Sequence, residues 1–135
     1  MPITKISWLK DKTFVGTDSR NHSIVLSGDN PSKGVSPSEM LLIALGACSS
    51  YDVVDILAKK RKPLSRLEVT VNGEREKDPP WAYHTIHIAY QLAGENLTDK
   101  AVSDAIRLSE EKYCSVAATV SGVTKITTEY EILDE

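Results

Sequence analysis

Cysteine is scarce in this chain. Cys48 and Cys114 are the only two among 135 residues, and no Cys-x-x-Cys pair exists. That excludes a disulfide-stapled fold and is the usage of a cytoplasmic chain with reduced thiols. A surplus of one charge is also lacking. Sixteen Lys and Arg face nineteen Asp and Glu, net −3, so the basic balance of a nucleic-acid binder is absent. Long apolar runs are missing too: residues 40–48 form the longest, nine residues, against about 20 for a bilayer crossing. Met1-Pro2-Ile3 opens directly into a strand-like pattern, so no leader peptide and no membrane partner are expected. There is no Gly-rich phosphate loop, nucleophile elbow or P-loop, and no cofactor is expected. His22, His84 and His87 lack metal-ligand spacing, and the last two, three apart on a strand, face opposite sides. No metal is expected. No repeat or linker interrupts residues 1–135, which read as one domain.

The first third carries short β-patterned stretches at 3–9, 13–16 and 22–26, separated by polar turns. Next comes Ser36-Pro37-Ser38-Glu39, with Ser at the N-cap, Pro at N1 and Glu at N3. This capping box predicts a helix from 37 to about 61, roughly 37 Å long. Lys59-Lys60-Arg61-Lys62 sits on its last turn, where cations suit the helix dipole, and Pro63 ends it. Residues 64–76 and 82–92 alternate as a long hairpin, with Lys77-Asp78-Pro79-Pro80-Trp81 at its turn. Thr98 caps a second helix whose buried stripe is Val102, Ala105, Ile106, Ser109 and Tyr113, ending near Cys114. A short element at 116–118 and a last strand at 123–133 follow. The order βββ, α, ββ, α, β predicts an α+β fold with a mainly antiparallel sheet.

The first half of the long helix is apolar on every face, so every face needs cover. A chain this size has little material for that, and a two-fold homodimer is expected. Beyond Cys48 a polar stripe of Asp52, Asp55, Lys59 and Lys62 opens, placing Cys48 where the buried helix first meets water or an interface.

The two thiols are either small buried hydrophobes or a nucleophile with a resolving partner. Cys114, at a helix C-terminus, faces partial negative charge that disfavours a thiolate. Cys48 lies mid-helix, and Asp52 one turn on would raise its pKa. A reactive Cys48 therefore calls for a cation from another segment. Arg20 is the first candidate, with Arg75 and Arg107 behind it. The plain alternative for Arg20 is an exposed turn residue. Trp81 and Tyr83 are candidates either to line a pocket or to pack the hairpin.

The stretch Gly34-Val35-Ser36-Pro37-Ser38-Glu39-Met40-Leu41-Leu42, continuing through Gly46-Ala47-Cys48-Ser49-Ser50-Tyr51-Asp52-Val53-Val54, resembles the first-cysteine helix of the OsmC/Ohr superfamily. Leu108-Ser109-Glu110-Glu111-Lys112-Tyr113-Cys114-Ser115-Val116 resembles its second-cysteine segment, and both runs fit the YhfA-like subgroup. The resemblance implies an intertwined homodimer, with the sheet wrapped on two helices and sites at the subunit interface. It also implies that Cys48 is peroxidatic and Cys114 resolving, with a peroxide as substrate and an external dithiol as reductant. Family peroxidases pair an arginine on the N-terminal meander with a glutamate just past the helix-opening proline. Here that place holds Ser38, and Glu39 stands one residue on, about 100° around the helix. Arg20 lies in the matching region, and Asp52 is a candidate to hold an arginine in the glutamate's stead. Glu39, Asp52 and Trp81 are thus the candidate substrate-side residues. Two functions follow: a thiol-dependent reductase of organic hydroperoxides, or a small-molecule-binding protein that keeps the fold without the full Arg–Glu pair.

Overall fold

Single aspartates fix two of the N-terminal turns. In the computed structural model, which describes residues 1–135, Asp18 Oδ1 accepts the N–H groups of Arg20 at 2.8 Å and His22 at 2.9 Å. These donations hold its carboxyl below the usual range. Asp29 Oδ2 accepts the Thr13 hydroxyl at 2.7 Å, and Asp29 Oδ1 the Lys12 N–H at 3.1 Å. Between these turns run β1 (Lys5–Lys10), β2 (Thr13–Thr17) and β3 (Ser23–Ser27), an antiparallel meander in that order. Asp11 and Asn21 take positive φ (51° and 67°) at the reversals, where Asx side chains are best tolerated. The apolar Ile6 and Trp8 of β1 lie exposed. Past β3, Gly34 passes so close to Val25 that an added Cβ would stand 2.6 Å from its carbonyl oxygen.

The serine half of the capping box forms. Ser36 Oγ accepts the Glu39 N–H at 3.2 Å, and the Glu39 carboxylate turns back to the Ser36 hydroxyl at 3.1 Å. The helix α1 runs Pro37–Lys59. Its end falls two residues short of the expected 61, because the chain closes in a Schellman motif. Arg61 adopts φ 60°, its N–H bonds to Ala58 O at 3.0 Å, and the Lys62 N–H bonds to Leu57 O at 2.8 Å.

The chain forms two compact units, Met1–Leu41 and Leu42–Glu135, where the sequence reads as one domain. The first holds the meander and the opening turn of α1. In the second, β4 (Arg66–Arg75) and β5 (Tyr83–Ala93) make the long hairpin, Leu67 facing Leu92 and Val71 facing Ile88. Then come α2 (Asp99–Leu108), a π-helical turn (Ser109–Tyr113), α3 (Ser115–Val120) and β6 (Lys125–Ile132). Thr98 caps α2 as expected, its Oγ1 accepting the Ala101 N–H at 3.1 Å. The helical connection returns β6 parallel to β5, so three strand pairings are antiparallel and one is parallel.

Within this second unit Ile86, Ile88, Tyr90 and Leu92 point from alternate positions of β5 into the core. Leu45, Val53 and Leu57 of α1 meet them there, together with Ala101, Val102, Ala105 and Ile106 of α2. By length and hydropathy α1 reaches what a membrane span requires, yet these three residues are fully buried in the core. The opposite stripe of α1, Ile43, Ala47, Tyr51, Val54 and Ala58, is exposed, so the helix is not covered all round within one chain. Tyr113 also departs from expectation. It is 53% exposed rather than part of the buried stripe, because the wider π-turn shifts the last residues around the axis.

Gly46 lets α1 lie against β4: a Cβ there would sit 2.8 Å from Val71 Cγ2. Gly46→Val is expected to lower unfolding stability by about 1–3 kcal/mol, read as a reduced urea midpoint. Gly122, with open space around it, should tolerate alanine without such a loss.

Candidate active site

Cys114 sits at a break in the helical backbone. Its N–H closes the π-turn on Ser109 O at 2.8 Å, and its own backbone is extended (φ −78°, ψ 105°). It thereby becomes the N-cap of α3, and its Sγ accepts the Ala117 N–H at 3.3 Å. The expected placement at a helix C-terminus holds, since Cys114 ends the π-turn, but the same residue also opens α3, so its thiol meets the free Ala117 N–H rather than orphan carbonyls. Ser49, buried on α1, aims its hydroxyl at the same sulfur at 3.9 Å.

Cys48 projects from α1 toward this break. Its Sγ, the Cys114 Sγ and an Asp52 carboxylate oxygen all lie within 4.8 Å of one another. Both cysteines are free thiols, Cys48 half-buried and Cys114 2% exposed. Burial is the largest influence on Cys48 and raises it. Donations from the Cys114 thiol, the Val116 and Ser115 N–H groups and the Ser115 hydroxyl outweigh that and leave it below its ordinary pKa. Cys114 is pushed up, first by burial and then by donating its proton to Cys48.

The leading influences on Cys48 are burial and hydrogen-bond donors, and no charged side chain figures among them. Asp52 is not among them either. Its Oδ2 is engaged by the Ser109 hydroxyl at 2.8 Å. Arg75 lies 5.2 Å over the Tyr83 ring, and Arg107 pairs with Asp104 and Glu111. Arg20 occupies the exposed β2–β3 turn of the first unit, and Glu39 serves the α1 cap there. Trp81, 52% exposed, holds the tip of the β4–β5 hairpin at φ 55°, its N–H on Asp78 O at 2.9 Å. His22, His84 and His87 each face a carboxylate, of Asp18, Glu74 and Glu129.

Three polar residues escaped the sequence reading as site members. Tyr90, 2% exposed, is pushed up to about 12 by burial, against a hydrogen bond with Ser49 that draws it down. It is a neutral phenol at any physiological pH. Ser49 and Ser109 complete the set, one beside each acidic partner. The only signal was indirect: polar side chains standing at core positions of α1, the π-turn and β5.

The model of the OsmC-like protein family matches residues 28–129. The chain belongs to the OsmC-like family. It is 38% identical to Protein YhfA of Escherichia coli K12 over 129 residues, covering 96% of each chain. Its fold matches a crystal structure of a hypothetical protein from Aquifex aeolicus VF5 with TM-score 0.91 and 32% identity, over 100% of this chain and 98% of that one. The organic hydroperoxide resistance protein OhrB of Bacillus subtilis superposes with TM-score 0.65 at 12% identity, over 96% and 98% of the two chains, which establishes a shared fold. The α+β reading thus stands as an OsmC-like fold, and this OsmC-like chain keeps both of its cysteines at one place.

Proposed function

We propose that this OsmC-like chain reduces organic hydroperoxides with its two thiols. One observation carries the reading: sulfurs 66 residues apart converge within 4.8 Å, and hydrogen bonding between them draws the Cys48 thiol below and pushes the Cys114 thiol above the ordinary range. The Cys48 thiolate attacks the peroxide, an S–O bond forms, the O–O bond breaks, and the alkoxide leaves as alcohol on taking a proton. The Cys114 sulfur then attacks the Cys48 sulfenic acid, forming the disulfide and releasing water. An external dithiol reduces it, becoming a disulfide itself. The fold shared with OhrB, a protein named for hydroperoxide resistance, supports the choice of substrate class. The reduced thiols fit a cytoplasmic location. Arg20 remains a proposed catalytic residue, and Glu39, Asp52 and Trp81 remain proposed substrate-side residues.

A second reading has support of its own. Ser38 occupies the place of the family peroxidases' glutamate, and no cation stands among the leading influences on Cys48. The same site would then bind a small molecule without turnover.

With cumene hydroperoxide and a dithiol, the wild type is expected to consume peroxide. Cys48→Ser should fall to the uncatalysed rate, and Cys114→Ser should accumulate a sulfenic acid that a dimedone probe traps. Wild-type protein that turns over no alkyl hydroperoxide with any dithiol would remove the peroxidase reading and leave the binder.

The exposed stripe Ile43, Ala47, Tyr51, Val54 and Ala58 supports a second copy of the chain as partner. Sedimentation is expected to give twice the chain mass, and Val54→Glu should shift it toward one. A wild type that sediments as a monomer at all concentrations contradicts the homodimer.

A further inference from the structure

Cys48 and Asp52 stand four residues apart on α1, so thiol and carboxylate leave the same face of the helix. Cys114 reaches that face from the break before α3. The three ligand atoms already lie within 4.8 Å of one another. A tetrahedral ion with bonds of about 2.3 Å to sulfur and about 2.1 Å to oxygen sets its ligand atoms roughly 3.5–3.8 Å apart. The contraction needed is therefore at most about 1 Å, within reach of small side-chain torsions.

The surroundings suit an ion as well. The Ser109 hydroxyl orients Asp52 through Oδ2 at 2.8 Å, the kind of outer-shell contact that ligating carboxylates carry. The Ser49 hydroxyl addresses Cys114. Deprotonated, the trio holds three negative charges, and the groups acting most strongly on the two sulfurs are hydrogen-bond partners and each other, with no cation among them. Cys48 is half-buried, which leaves the cluster accessible from solvent.

We infer that Cys48, Cys114 and Asp52 form a three-ligand site for a thiophilic divalent cation, zinc foremost, with a fourth position open to water or a small ligand. Two thiolates discriminate against magnesium and calcium, which prefer all-oxygen shells. Binding displaces both thiol protons to solvent. It also occupies the sulfur lone pairs that a Cys48–Cys114 disulfide would use, so the metal-bound and disulfide states exclude each other. Residue order alone does not reveal this site, since its ligands lack any metal-binding spacing along the chain.

The test uses the reduced full-length chain without oxygen or peroxide, so its outcome is separate from that of turnover. Cobalt(II) is the probe. One equivalent per chain is expected to produce a thiolate-to-cobalt charge-transfer band and four-coordinate ligand-field bands, both bleached by added zinc. Asp52→Asn should weaken cobalt binding by about tenfold or more, and Cys48→Ser or Cys114→Ser should remove most of the charge-transfer intensity. Wild-type chain blocked with N-ethylmaleimide, where no variant has to fold, should show no band. Absence of the band in the reduced wild type overturns the site. So does a band that persists in the blocked chain, or an Asp52→Asn chain that binds cobalt as tightly as the wild type.

Discussion

The interruption of helical geometry at Cys114 is the constraint on which the site depends. Five residues of π-turn end there, the backbone goes extended for one residue, and α3 begins. A continuous helix would satisfy the N–H groups of Ser115, Val116 and Ala117 internally, with main-chain carbonyls four residues back. The break frees them, and they turn to sulfur: Ala117 to Cys114, and Ser115 and Val116 to Cys48. One local event thus brings the second thiol to the first and supplies the donors that favour the first as thiolate.

The long helix provides the other half. Its buried face, with Leu45, Val53 and Leu57, fixes its rotation against β5, and Gly46 brings it close to β4 at Val71. With that rotation set, Cys48, Ser49 and Asp52 share the side that meets the segment from Ser109 to Ala117. The low-dielectric core then separates the two sulfurs in acidity: burial and proton donation raise Cys114, while its donation and the main-chain donors lower Cys48. Tyr90 stays neutral beneath them and offers a hydroxyl rather than a charge.

Much of this was legible in the residues. Ser36 and Glu39 announced the start of α1, Thr98 that of α2, and alternation across 64–92 the central hairpin. These are short-range signals, carried by side chains that bond to their own neighbourhood. The two cysteines and Asp52 stand out in the residues, and they do lie together. What failed to show was set by the main chain. The π-turn, the exposure of Tyr113 and the parallel return of β6 depend on backbone direction and tertiary fit, to which hydrophobic periodicity is blind. The donors around Cys48 are hidden from the residue pattern for the same reason. Sequence displays side-chain charges, whereas the groups that lower Cys48 are uncharged donors brought in by the fold: the Cys114 thiol, the Ser115 hydroxyl and the peptide N–H groups of Val116 and Ser115.

The central claim is that Cys48 and Cys114 act as one redox unit. Peptide mass mapping of the chain after one equivalent of hydroperoxide, alkylated and digested without reductant, tests it directly. The account predicts an intramolecular Cys48–Cys114 crosslink, lighter by two hydrogen atoms than the reduced pair, with neither thiol alkylated. Recovery of both cysteines as separate alkylated peptides, or crosslinks only between chains, would contradict it.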